Sequence, residues 1–234
     1  MRKTLRAILA TTVVAAALAI STAAPAVANE GDDPAVGPGA SLSTIQRAGA
    51  EATDRRIDSL EVAIARVQGN DALTESNRGA ILATLTSDLA AMNDLAGQIA
   101  SDTTVTDAAA DYRAIFTDYR VYAVALPQSL YAASADALTG SVLPRLQAVY
   151  DVLQAKVAGE SDAEVEALLE DMEQKMQDAE AAAATIAADA LAVTPAAWNA
   201  DHTVLADIRA ELRDATQDAR DAARDARQIA QALR

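Results

Sequence analysis

The feature that most constrains this chain is the spacing of its apolar residues. Val165, Leu169, Met172, Met176, Ala179, Ala183, Ile186, Ala190 and Val193 follow one another in steps of four and three without a fault. Leu205, Ile208, Leu212, Ala215, Ala219, Ala222, Ala226, Ile229 and Leu233 repeat the pattern. Steps of three and four return a residue to one face of an α-helix, whereas a strand needs steps of two. Earlier segments show the same period. Ile57, Leu60, Ile64 and Val67 run up to Gly69-Asn70, and Leu82, Leu85, Leu89, Met92, Leu95 and Ile99 form a second series. Leu146, Val149, Leu153 and Val157 form another, closing at Gly159, with Gly140 and Pro144 predicting a kink before it. Ser161-Asp-Ala-Glu164 reads as a capping box, and Thr194-Pro195 as a cap followed by a first-turn proline.

Several such segments joined by short polar turns predict an all-α fold. The expected form is an elongated antiparallel helical bundle with coiled-coil-like heptad packing. Ala supplies 60 of the 234 residues, so the seams permit close helix approach but bury less apolar area than leucine seams.

Residues 1–28 have the order of a secretory signal peptide: Arg2, Lys3 and Arg6, then the apolar run Ala7 to Ile20, then Ala26-Val27-Ala28. Cleavage is expected between Ala28 and Asn29. Residues 29–41 (NEGDDPAVGPGAS) read as a disordered leader, and 42–234 as a single helical-bundle domain. Cysteine is absent, so neither a disulfide framework nor a lipid-bearing cysteine is available. No retained membrane anchor is expected, and the protein is placed outside the cell or at its envelope. The formal charge of −15 becomes −18 once Arg2, Lys3 and Arg6 leave with the signal. Such a surface is unsuited to nucleic acid or anionic lipid, both of which need cationic side chains.

The charges on the last two segments suggest a register. Glu166, Glu173 and Glu180 recur every seven residues, and a hairpin would set them against Arg227, Arg220 and Arg213. The alternative is that both are independent solvated faces. Asp207, Glu211, Asp214, Asp218, Asp221 and Asp225 form an acidic flank on the last helix that looks outward for partners.

No catalytic residue set can be assembled. His202 is the only histidine, it has no thiol and no nucleophile motif beside it, and it reads as a structural or surface residue. No metal-ligand motif and no glycine-rich phosphate loop is present, so neither metal nor cofactor is expected. Residues 111–131 are the exception to the plain composition. They hold five of the seven aromatic residues, and Asp-Tyr-Arg occurs in them twice, seven residues apart. Tyr112, Ile115, Tyr119, Tyr122 and Leu126 share one helical face. The primary reading is architecture, with Tyr119 and Tyr122 packed on neighbouring helices and Arg120 paired to an acid elsewhere. The other reading is a small-polar-ligand groove lined by Tyr112, Arg113, Tyr119, Arg120 and Tyr122. Residues 119–127 fit either helix or extended chain, since Val121, Tyr122 and Pro127 weaken the helix. Trp198, in TPAAWNAD, is either a plug at a bundle end or an exposed partner anchor.

The run Asp118-Tyr119-Arg120-Val121-Tyr122 with Pro127, the turn Pro195–Trp198-Asn199 and the Ala/Asp/Arg-rich last helix together resemble a group of actinobacterial secreted helical proteins. The resemblance implies secretion and a helical fold, and no activity. The function expected is therefore a non-catalytic secreted structural or protein-interaction module at the cell envelope. Its partner would be an envelope protein, or another copy reached by self-association through helices.

Overall fold

The structure is a computed structural model and describes residues 36, 37, 39–158 and 162–233. The regular elements there are all helical. They are α1 (Leu42–Gln68), α2 (Glu75–Ser101), α3 (Val105–Ala114), two π-helical turns (Ile115–Tyr119 and Val121–Ala125) and α4 (Leu126–Ala137). A third π turn (Leu138–Val142), α5 (Leu143–Val157), α6 (Ala163–Ala192), α7 (Pro195–Ala200) and α8 (Val204–Ala232) complete the order. The all-α expectation holds, and 119–127 is helical on both sides of Arg120. The signal peptide, its cleavage site, Gly159 and Ser161 lie outside the described residues.

Polar side chains fix where the helices begin. Ser41 accepts the Thr44 amide at 3.3 Å, Thr74 the Asn77 amide at 3.3 Å and Thr104 the Asp107 amide at 3.1 Å. Thr194 accepts the Ala197 amide at 3.1 Å, with Pro195 in the first turn as expected. Before α6, Asp162 receives the Glu164 amide at 3.0 Å.

The two helix-interior prolines explain two of the π turns. A proline at position i cannot donate to the carbonyl of i−4 and its ring collides with it. For Pro127 that carbonyl belongs to Ala123, and for Pro144 to Gly140; each lies within a π turn. The kink predicted at Gly140 and Pro144 is thus present as the turn Leu138–Val142.

The fold packs as two compact units. One comprises, within the described residues, 36–133 and 187–208; the other comprises 134–186 and 209–233. In the first unit α1 and α2 form an antiparallel hairpin. Asn70 orders its turn, its carbonyl accepting from Arg78 Nη2 at 2.7 Å, and Gln46 Nε2 ties the far end to the carbonyls of Ala100 (3.2 Å) and Asp102 (3.1 Å). Gly49 lets the helices close on each other: a Cβ there would lie 2.7 Å from Ile99 Cγ2. The expected seam of α1 needs correction. Leu60 and Val67 are buried, but Ile57 and Ile64 are half-buried, and Arg56 is fully enclosed. Because α1 packs against α3 and the second π turn as well as against α2, its buried stripe is wider than one seam.

In the second unit the spaced apolar residues of α6 and α8 are buried, except Leu212 and Leu233, which are half-buried. Met172, Met176 and Ala179 meet Ala219, Ala222 and Ile229, with Leu146, Tyr150 and Leu153 of α5 in the same core. The salt-bridge register differs from expectation. Lys175 Nζ reaches Asp225 Oδ2 at 2.8 Å and lies near enough to Asp218 and Asp221 to favour their ionised forms. Glu173 instead accepts from the Tyr150 hydroxyl at 2.9 Å, and Arg213 binds its own neighbour Asp214.

Candidate functional site

The aromatic stretch lies in the first unit, and its geometry turns on one residue. Arg120 sits between two π turns with φ 49° and ψ 44°, the left-handed region. Among the described residues it is the one non-glycine residue with positive φ. That region crowds a Cβ, so an arginine there stores strain.

Side chains from 198–202 hold the break. Arg120 Nε donates to Asn199 Oδ1 at 2.8 Å, and its guanidinium carbon lies 4.4 Å from the centre of the Trp198 ring. Asn199 Nδ2 donates in turn to the Thr117 carbonyl at 2.7 Å. One amide side chain thus holds both the arginine at the break and the backbone of the turn before it. His202 stacks on Trp198 with ring centres 4.0 Å apart and a tilt of 33°. Asp201, beside it, is held below the usual carboxylate range by donation from the Thr203 hydroxyl and amide.

A second cluster lies deeper. Arg56 is 0 % exposed, and its guanidinium carbon is 4.6 Å from the Phe116 ring centre and 4.8 Å from that of Tyr122. The two rings supply π faces to a buried cation, while Arg56 Nη1 donates to the Ala52 carbonyl at 2.9 Å. The Tyr122 hydroxyl donates to the Arg55 carbonyl at 3.0 Å, which meets the need of a buried phenol for a partner. Tyr112 meets Phe116 edge-on, with centres 5.1 Å apart.

The six residues singled out from sequence therefore part company. Arg120 and Trp198 come together. Tyr112 and Tyr122 belong to the buried cluster around Arg56 and Phe116. Tyr119 is half-buried, off the fully buried face that the spacing assigned to it. Arg113 is exposed and donates to the Ala109 carbonyl of its own helix. For Arg120 the structure supplies an amide and an indole from 198–199. Four residues were not foreseen in these roles: Arg56, Phe116, Asn199 and His202. Arg56 carried a signal, since it stands in line with Ala52 and Leu60 on the apolar side of α1. Asn199 and His202 carried none beyond lying near Trp198.

Among the described residues no group of three or more His, Asp or Glu side chains is placed to hold a metal ion, and no helix is long and apolar enough to cross a membrane. Compared with protein-family models, with curated proteins and with solved structures, the chain matches none.

Proposed function

We propose that this chain is a non-catalytic, secreted protein-interaction module at the cell envelope, and that it engages its partner through Trp198, His202 and Arg120. The observation that carries the reading is a half-exposed indole held in a fixed pose by a guanidinium and an imidazole. Rigid tryptophan and arginine anchors contribute a large part of binding energy at protein interfaces, because little side-chain freedom remains to be lost. Secretion rests on the order of charged, apolar and small residues in 1–28.

The groove alternative is the weaker one. Of the residues that would line a small-polar-ligand groove, Tyr112 and Tyr122 are buried, and Tyr122 gives its face to Arg56 of the same chain.

A photo-crosslinking amino acid at exposed Ala196 tests the reading. The mature chain should yield one discrete crosslinked band in an envelope extract, and Trp198→Ala should lose that band while keeping its helical circular dichroism. A band that survives Trp198→Ala, or no band at all, refutes this surface as the interface.

A further inference from the structure

Two features of residues 111–126 contradict each other. The sequence spaces Tyr112, Ile115, Tyr119, Tyr122 and Leu126 for one uninterrupted helical face, and it repeats Asp-Tyr-Arg at seven residues. The structure interrupts that helix at Arg120, with two π turns and a left-handed residue. Glycine would adopt that conformation without strain; arginine does not. Local preference and observed conformation thus oppose each other, which marks a segment with two competing states.

What holds the observed state comes from outside the segment, though within the same compact unit. Asn199 takes Arg120 Nε through its carbonyl and the Thr117 backbone through its amide, and Trp198 takes the guanidinium on its ring. We infer that residues 198–199 are a latch on a bistable segment. When the latch lets go, 111–121 rewinds toward regular helix, up to the π turn that Pro127 imposes. The latch is a property of the fold itself and stands whether or not this surface meets a partner.

Rewinding has a consequence for the buried cluster. Replacing a left-handed residue and the π turn before it with regular α-helix rotates the residues after the break relative to those before it. Phe116 lies before the break and Tyr122 after it, and both now face Arg56. They cannot keep that shared pose after the phase changes, so the latch at the surface is coupled to the aromatic sandwich beneath.

Two substitutions that differ by a single Cβ provide the test. Arg120→Ala and Arg120→Gly both delete the side chain that the latch holds. Alanine retains the left-handed penalty and favours helix, so it should close the break; glycine tolerates the break and should keep it. Amide hydrogen exchange is measured on the full chain. In Arg120→Ala, exchange across residues 119–123 should be at least about tenfold slower than in Arg120→Gly, which should remain near the parent. Equal exchange in the two variants overturns the inference. Asn199→Ala, a change at an exposed position, gives an independent reading if either variant fails to fold. It should slow exchange over the same amides, and unchanged or faster exchange there overturns the latch.

Discussion

A buried arginine is an unusual choice for a helix seam, and Arg56 shows what makes it tolerable. Two ring faces and a carbonyl lie against its guanidinium, and its long stem fills the volume that an aliphatic residue would. Arg56→Ala should therefore destabilise by about 3 kcal/mol, measured by urea unfolding, and Arg56→Met should recover more than half of that loss by restoring packing without the buried charge. If methionine does no better than alanine, the cation is itself the stabilising element. Tyr119 follows the opposite logic. Being half-buried, it should cost only about 1 kcal/mol on truncation to alanine, less than the fully buried tyrosine its spacing suggests. Asp88 gives a pH signature. Burial pushes its carboxyl up to about 6, so between its ordinary value and that one the folded chain holds a proton that the unfolded chain releases. Its contribution is therefore best at low pH and is lost as pH rises toward and through 6. Asp88→Asn should stabilise by about 1–2 kcal/mol at pH 8, after allowance for partial exposure, and by little at pH 4. Equal effects at both pH values would sink this assignment.

Among the elements, the hairpin of α1 and α2 is set by a contact too close for any side chain larger than hydrogen. Gly49 faces Ile99, which is 0 % exposed and would meet a new Cβ with its Cγ2 methyl at 2.7 Å. Alanine would favour the helix by roughly 0.5–1 kcal/mol but overpack the crossing by roughly 1–3 kcal/mol. Gly49→Ala should thus be net destabilising, by about 1 kcal/mol, and adding Ile99→Ala should make it stabilising; a double-mutant cycle with no coupling refutes the close contact. Element-scale features of this kind divide cleanly by how local their cause is. Caps at Thr194 and the kink at Pro144 were legible because each depends on a few adjacent residues. So were the seams of α6 and α8, whose period is their own. Charge pairing was not, because it is set by which side chains meet across the hairpin and not by the period of either helix. The break at Arg120 was equally hidden, since the side chain that holds it belongs to an asparagine 79 positions away, while the spacing of Tyr112, Ile115, Tyr119 and Tyr122 keeps to one helical face. The site was half legible for the same reason: Arg120 and Trp198 stood out by type, while the residue joining them did not.

Across the whole molecule, charge of one sign governs the response to pH and salt. The chain carries 34 acidic and 19 basic residues, and several acids sit where ionisation is resisted. Burial raises the Asp218 carboxyl, with further upward push from Asp178, Asp221 and Asp214. Burial also raises that of Asp102, helped by Asp111 and Asp107. Together with Asp88, these groups bind protons more readily in the folded chain than in the unfolded one, so stability falls as pH rises through their folded values. Two acids oppose them. Asp201 is lowered by the Thr203 donors, and Asp221 by donation from Gln217 and the nearby cations Arg224 and Lys175, so their contribution is present above the ordinary carboxylate value and lost only in stronger acid. The two sets act in different windows, which leaves an optimum between them. Thermal unfolding of the full chain should therefore peak at mildly acidic pH, with Tm higher at pH 5 than at pH 8 by roughly 3–6 °C for a chain of this size. Salt separates mutual repulsion from single-site burial. Raising sodium chloride from about 0.05 to about 0.5 M screens repulsion among exposed acids, so it should lift Tm more at pH 8, where they are fully ionised, than at pH 5. Desolvation of Asp88 is not relieved by salt, so Asp88→Asn should still narrow the gap between pH 5 and pH 8 at the higher salt. A Tm that is flat or higher at pH 8 at low salt would show that the lowered acids and their donors outweigh the raised ones.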